Sequence, residues 1–177
     1  VTGVQTCALP IWPIEKDLCF RAHQLMEQQA QRALPVRLTL KKRVPAGAGL
    51  GGGSSDAAGT IVGLDRLFEL GLGKARLRAL GATLGSDVAF LVGAALGEPS
   101  ALVEGLGEKL TPLPLAAPVH MALIFPPFGC PTGPVYKAFD QLCPPTTLTA
   151  QPDGRRIMAL AEKQPLRTDA QIGRAHV

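Results

Sequence analysis

Glycine and serine dominate residues 45–55, PAGAGLGGGSS, the part of the sequence best suited to chemistry. Glycine weakens both helices and strands, but it permits tight turns and lets a ligand approach backbone N–H groups. Successive N–H groups in such a loop, and those at the start of a helix, bind anions such as phosphate. The sequence therefore predicts a phosphate-binding loop, which needs a strand before it and a helix after it.

The segments on both sides of the loop have the required patterns. Residues 36–44 alternate apolar and polar side chains, which predicts a half-buried strand that ends at Pro45. Residues 56–70 carry apolar side chains at three- and four-residue spacing, which predicts a helix. Ser54 and Ser55 are the residue type that caps a helix start, so we expect them to be N-caps.

Three different interpretations of the loop are weaker. Residues 47–52 satisfy G-x-G-x-x-G, but a dinucleotide fold also requires a strand with an acid at its end after the helix. Here Glu69 still lies in the predicted helix, and a second helix follows. A Walker A loop requires Gly-Lys-Ser/Thr, which is absent. A bare flexible turn does not explain the flanking strand and helix.

Further elements are predicted by apolar periodicity between glycines and prolines. They are helices over residues 17–33, 74–84 and 155–163, a hairpin over residues 102–110 and a strand over residues 119–125. Residues 86–90 are expected to form a turn into an apolar segment. From residue 126 onward prolines are frequent, and we expect a crossover toward a second domain.

Three stretches resemble the GHMP kinases, a family that includes galactokinase, homoserine kinase and mevalonate kinase. Residues 41–59, KKRVPAGAGLGGGSSDAAG, resemble the family's second signature. Residues 84–93, LGSDVAFLVG, resemble the loop of its catalytic aspartate, with Ala89 in place of the usual proline. Residues 102–113, LVEGLGEKLTPL, resemble its Gly-x-Gly-Glu hairpin. The resemblance extends over residues 17–134.

The resemblance implies an α+β fold, the two-domain GHMP kinase fold with an N-terminal domain like ribosomal protein S5 domain 2. Residues 12–125 are then the ATP-binding N-terminal domain without its first strands. Residues 126–170 are the start of the C-terminal domain.

The resemblance also implies ATP and Mg²⁺ as ligands and assigns roles to residues of the loop. Asp87 is the catalytic residue that accepts or orients the proton of the attacking hydroxyl, and Ser55 contacts the metal. The residues expected to bind ATP are Lys42, Pro45, Ala46, Gly47, Ala48, Gly49, Leu50, Gly51, Gly52, Gly53, Ser54 and Ser55. Without the resemblance, Asp87 is a turn-capping aspartate and Lys42 is the solvated end of a strand.

The triple glycine before Ser-Ser resembles, within this family, the diphosphocytidyl-methylerythritol kinases. The implied substrate is the small molecule cytidine diphosphate methylerythritol, phosphorylated at its C2 hydroxyl in non-mevalonate isoprenoid biosynthesis. Homoserine- and mevalonate-type kinases are alternatives, although they favour a single glycine at this place. Two further hypotheses are a non-catalytic ATP-binding relative and a dehydrogenase with a dinucleotide fold.

The two ends of the chain have a coding relationship. Residues 172–177 can be written ATC GGA AGA GCA CAC GTC, whose reverse complement, read from its second base, encodes residues 6–10 and the start of Ile11. We therefore expect residues 1–11 and 171–177 to be translated sequencing adapter and the rest to be a fragment. The family's N-terminal lysine strand, its Gly-Tyr-His segment and its third glycine signature lack counterparts, so we expect no turnover from this chain.

Composition narrows the class of protein. Hydrophobic residues make up 46% and charged residues 18%, which is typical of a globular domain. The net charge of +4 is not arranged in a basic stripe, so nucleic acid is not an expected partner. The four cysteines lack metal-ligand spacing, which favours reduced thiols in the cytoplasm. No apolar run approaches the roughly 20 residues of a membrane helix, so we expect no membrane partner.

Overall fold

The computed structural model describes residues 3–6, 13–45, 49–105, 109–113 and 132–142. The helices are α1 (Leu18–Ala30), α2 (Gly52–Leu67), α3 (Lys74–Leu84), α4 (Ser86–Ala95) and α5 (Thr132–Leu142). The strands are β1 (Gly3–Thr6), β2 (Arg37–Leu40), β3 (Ala101–Glu104) and β4 (Lys109–Pro112). A single 3₁₀ turn in these ranges, Ile14–Lys16, precedes α1.

The core lies between α1, α2, α3 and α4. The apolar faces predicted from helical spacing are the faces that are buried, and α2 packs against both α1 and α4. Fully buried side chains include Met26, Ile61, Leu64, Leu77 and Val92. Each contributes about 1.5–3 kcal/mol by its removal from water, so this four-helix cluster is the main source of stability for the loop that precedes α2.

Helix α1 begins where a side chain caps it. The Asp17 carboxylate accepts hydrogen bonds from the backbone N–H groups of Cys19 at 2.8 Å and Phe20 at 3.2 Å. An N-cap of this kind stabilises a helix by about 1 kcal/mol. The helix ends at Ala30 because Gln31 adopts a left-handed conformation, with φ of 52°. The sequence prediction of this helix is confirmed, with an end three residues early.

Helix α4 corrects one prediction. Residues 86–90 were expected to form a turn, but they form the first half of α4, which follows α3 after the single residue Gly85. The N–H groups of Val88 and Ala89 donate to the Gly85 carbonyl at 3.1 and 3.4 Å. The segment is apolar on several sides because α4 packs against both α2 and α3, and such a helix lacks the polar face that periodicity detects.

Two features hold α3 and α4 together: a close helix crossing at small residues and ion pairs between charged side chains. A Cβ atom on Gly81 would lie 3.2 Å from Val92 Cγ2 and 3.3 Å from the Ala89 backbone, so the helices cross closely there. At the far end the Glu98 carboxylate forms ion pairs with Lys74, at 3.2 Å, and with Arg78. These contacts fix the direction of α4 and therefore the place of its first turn.

The described strands form one parallel pair and one antiparallel pair. β2 is shorter than the predicted strand, and Leu38 and Leu40 are half-buried as its alternation predicts. β1 pairs with it in parallel, although we expect an adapter origin for residues 1–11. β3 and β4 confirm the predicted hairpin, whose turn begins at Gly105 with φ of 68°.

Helix α5 lies in the proline-rich segment that was expected to be a crossover. Pro134 is the third residue of α5, where a missing N–H removes no intrahelical hydrogen bond. The predicted strand over residues 119–125 and the predicted helix over residues 155–163 lie outside the described residues. In the part of the chain that is described, no helix has the length and apolar character to cross a membrane.

Candidate nucleotide-binding site

Helix α2 begins at Gly52, four residues before the predicted start. Its N-cap is Gly51, and its first intrahelical bond runs from the Ser55 N–H to the Gly51 carbonyl at 2.8 Å. Ser54 and Ser55 therefore lie in the first turn and are not N-caps, which corrects the prediction. The N–H groups of Gly52, Gly53 and Ser54 have no acceptor within the helix, and Gly51 has no side chain to cap them.

Two glycines of the loop adopt a backbone conformation that other residues rarely adopt. Gly49 has φ of 68° and Gly51 has φ of 65°, both in the left-handed region. An L-residue with a Cβ atom is strained there by about 1 kcal/mol or more. The loop therefore reaches the start of α2 by a path that requires glycine at both places.

The next glycine is required by a neighbouring side chain. A Cβ atom on Gly52 would lie 2.9 Å from Val44 Cβ and 3.0 Å from Val44 Cγ1, closer than real Cβ atoms approach. The start of α2 thus packs directly on the segment that precedes the loop. Gly53 differs, because a Cβ atom there would make an ordinary contact of 3.7 Å with Leu18 Cδ1.

Asp87 lies on the helix that flanks the loop. It is exposed in the first turn of α4, where the helix dipole favours a negative charge. One helical turn further on, about 5.4 Å, Leu91 shares its face of α4. Leu91 Cδ1 lies 3.9 Å from the position of a Cβ atom on Gly51. The packing of α2 on α4 therefore places Leu91, one turn after Asp87, at Gly51 of the loop.

The Asp87 carboxylate has no protein partner within the described ranges. No hydrogen bond or ion pair to it occurs there, in contrast to the capping role that the residues alone suggested. The exposed carboxylate at the start of α4 is therefore accessible to a ligand.

Lys42 is exposed, as a strand end would be, but its charge is paired. Its ammonium forms an ion pair with the carboxylate of Asp56, the fifth residue of α2, and the two side chains are 35% and 28% exposed. This pair places a positive charge beside the first turn of α2, where the uncapped N–H groups are. Sequence reasoning did not identify Asp56. The only signal available was an acid that follows the glycine loop after a basic run.

Cys19 lies buried near this ion pair. Burial is the main reason that the pKa of its thiol is raised from 9.0 to about 11. A hydrogen bond with Thr60 lowers the pKa, the charges of Asp17 and Asp56 raise it, and that of Lys42 lowers it. A thiol with so high a pKa is protonated at neutral pH, so Cys19 is a core residue and not a nucleophile.

The other residues predicted to bind ATP or Mg²⁺ are either exposed or outside the described residues. Pro45 and Leu50 are exposed residues of the loop, and Ala46, Gly47 and Ala48 lie outside the described residues. Ser55 is exposed in the first turn of α2. The described ranges hold no group of three or more His, Cys, Asp or Glu that could bind a metal. Mg²⁺ beside a triphosphate needs few protein ligands because phosphate oxygens and waters supply the rest.

The sequence profile described as GHMP kinases N terminal domain matches residues 17–95. Residues 17–95 form a GHMP kinase N-terminal domain. This GHMP domain contains the glycine loop, α2 and Asp87, and the α+β class predicted from the sequence is confirmed. The boundaries proposed for a first and a second domain remain predictions.

Individual relatives agree with the profile. The chain is 41% identical over 159 residues to the 4-diphosphocytidyl-2-C-methyl-D-erythritol kinase of Moorella thermoacetica, covering 88% of this chain and 53% of the relative. It is 46% identical over 122 residues to the kinase of the same name from Methylibium petroleiphilum, covering 69% of this chain and 41% of the relative.

A solved structure is similar over the same extent. The crystal structure of a 4-(cytidine 5'-diphospho)-2C-methyl-D-erythritol kinase aligns with a TM-score of 0.61 at 33% identity, covering 91% of this chain and 55% of that chain. The chain therefore spans about half the length of the relatives it matches.

Proposed function

We propose that the protein to which this GHMP domain belongs is a small-molecule kinase. It transfers the γ-phosphoryl group of ATP to the C2 hydroxyl of 4-diphosphocytidyl-2-C-methyl-D-erythritol, in the cytoplasm, as a step of non-mevalonate isoprenoid biosynthesis. The names of the relatives support the substrate, and the glycine loop supports the use of ATP.

The start of α2 is the single observation that carries the proposal. Its N–H groups at residues 52–54 have no acceptor within the helix and no side-chain cap from Gly51, the helix dipole is positive at this end, and the Lys42 ammonium pairs with Asp56 of the same helix. Phosphoryl transfer depends mainly on positioning and on neutralising phosphate charge. The glycine loop over residues 45–55 would bind the triphosphate through backbone donors, and Lys42 would add charge.

Asp87 would act on the acceptor hydroxyl. From the first turn of α4 its carboxylate would accept or orient the hydroxyl proton while the oxygen attacks the γ-phosphorus, whose bond to the bridging oxygen breaks so that ADP leaves. The Ser55 hydroxyl would take one coordination position of Mg²⁺. When bound, Mg²⁺ supplies neutralisation of the charge that develops on the phosphate oxygens.

The experiment is a domain exchange. Residues 17–95 replace the matching segment of the Moorella thermoacetica kinase, and phosphorylation of the cytidine diphosphate substrate is followed by ATP consumption. We expect turnover with the exchanged domain and a loss of about 10²-fold to 10⁴-fold in kcat for Asp87→Asn, with the affinity for ATP kept. Glu69→Gln, at an exposed residue just after the end of α2, is the matched control and should leave kcat unchanged.

The outcomes separate the candidate functions. Loss of ATP binding by the exchanged domain would contradict the proposal. ATP binding without turnover would support a non-catalytic relative. Turnover with homoserine or mevalonate in place of the cytidine substrate would keep the kinase and replace its substrate class. Turnover unaffected by Asp87→Asn would refute the role of Asp87 alone.

A further inference from the structure

We propose that Asp56 is a positioning residue of the ATP site, which holds the Lys42 ammonium beside the first turn of α2. The inference rests on the proposed binding of ATP at the glycine loop. Asp56 itself would touch no part of the nucleotide. Its carboxylate would act through Lys42, with which it forms an ion pair.

The place of Asp56 on α2 supports this role. Asp56 is the fifth residue of the helix, one turn after Gly52. Side chains on a helix lean toward its N-terminus, so the carboxylate is directed back toward the first turn. An ammonium that pairs with it is therefore held beside the N–H groups of residues 52–54, which carry the positive end of the helix dipole.

Nothing else in the described residues fixes Lys42. β2 ends at Leu40, so the backbone of Lys42 has already left the sheet. Lysine carries its charge on a flexible four-carbon stem, whose freedom must be lost before the charge can act at a defined point. Of the three consecutive basic residues 41–43, only Lys42 forms an ion pair within the described ranges. Asp56 on α2 thus pairs with one of these three basic side chains.

A simple charge argument predicts the opposite effect of Asp56, which makes the inference testable. If Asp56 acted only as a negative charge near a triphosphate, its removal would strengthen ATP binding by Coulomb's law. If it positions Lys42, its removal frees the lysine stem and weakens ATP binding. The sign of the change in affinity distinguishes the two roles, and the effect of positioning must disappear when Lys42 is absent.

The test measures the dissociation constant of Mg-ATP by calorimetry on the 177-residue chain. For Asp56→Asn we expect affinity to fall about threefold to tenfold. Lys42→Met should weaken binding at least as much, and adding Asp56→Asn to Lys42→Met should cause no further loss. Asp56→Glu keeps the charge on the helix and should remain within about threefold of the unmodified chain.

A matched control removes a comparable ion pair elsewhere. Lys74→Met breaks the pair with Glu98, whose atoms are 3.2 Å apart, and leaves Glu98 paired with Arg78. It should leave ATP affinity unchanged. Thermal unfolding of all variants checks the fold, and a midpoint within about 4 °C of the unmodified chain is expected because both pairs are partly exposed.

Each ATP-binding result either supports or overturns the positioning role of Asp56. Unchanged or tighter binding by Asp56→Asn would overturn it and leave the proposed function intact. An equal loss from Asp56→Asn with and without Lys42 would also overturn it, because Asp56 would then act independently of the lysine. Failure of the unmodified chain to bind ATP would overturn both the inference and the proposed use of the loop. Weaker binding that depends on Lys42 supports it.

Discussion

Gly52→Ala and Gly53→Ala make the same chemical change at adjacent residues, and the structure predicts opposite effects. A methyl group on Gly52 would lie 2.9 Å from Val44 Cβ and 3.0 Å from Val44 Cγ1. A methyl group on Gly53 would lie 3.7 Å from its nearest neighbour, Leu18 Cδ1. The first is an overlap and the second an ordinary contact, so only Gly52→Ala forces the start of α2 away from the preceding segment.

The magnitudes follow from two opposing effects. Replacing a helical glycine by alanine stabilises a protein by about 0.5–1 kcal/mol through backbone entropy. Overpacking of the kind expected at Gly52 costs about 1–3 kcal/mol. Gly53→Ala should therefore raise the free energy of unfolding by up to about 1 kcal/mol, while Gly52→Ala should lower it by about 1–2 kcal/mol.

Urea unfolding followed by circular dichroism measures both variants, and a Mg-ATP titration reports on the loop. Gly52→Ala should also weaken ATP binding, because the shift displaces the N–H groups of residues 52–54. Adding Val44→Ala to Gly52→Ala should restore the free energy of unfolding only in part, since it removes the overlap with Cγ1 but keeps the overlap with Cβ. Equal stability of the two glycine variants would refute the packing argument for Gly52.

Three further predictions concern the core around the site. The raised pKa of Cys19 contributes stability that is present below pH 9 and lost as pH rises toward 11, so the free energy of unfolding measured across that interval should fall by a few kcal/mol at most, on the order of 2–3, and Cys19→Ala should lack this fall. Asp17→Ala should lower the free energy of unfolding by about 1 kcal/mol in urea, because α1 loses its cap; no change would contradict the capping role. Gly93→Ala, whose methyl would lie 2.7 Å from Arg78 Nη2, must displace the Arg78 side chain, so it should raise the thermal midpoint less than Gly59→Ala, which has no atom within 4 Å of its methyl; equal midpoints would contradict this.

Local sequence signals predicted the elements whose pattern is local. Helix α3 has the predicted limits, and α1 begins at its capping Asp17. The hairpin of β3 and β4 follows from alternation around a glycine turn. The existence of a loop between a strand and a helix was likewise predictable, because glycine and amphipathic periodicity are local features.

Features that depend on tertiary packing were not predictable. Glycine has a low helix propensity, so Gly52 and Gly53 gave no helical signal, yet α2 begins at Gly52, where the close approach of Val44 leaves no room for a Cβ atom. The ion pair of Lys42 with Asp56 joins residues across the loop, and no spacing rule connects them. α4 lacked a polar face because it is covered on two sides, so its apolar run gave no helical periodicity and its start was predicted as a turn.

The most direct measurement of the central claim is an amide nuclear magnetic resonance titration of the ¹⁵N-labelled chain with Mg-ATP. If the start of α2 binds the triphosphate, the N–H signals of Gly52, Gly53 and Ser54 should shift most, together with those around Asp87. Binding of ATP that leaves these three signals unmoved while signals elsewhere shift would contradict the assignment of the glycine loop as the phosphate site.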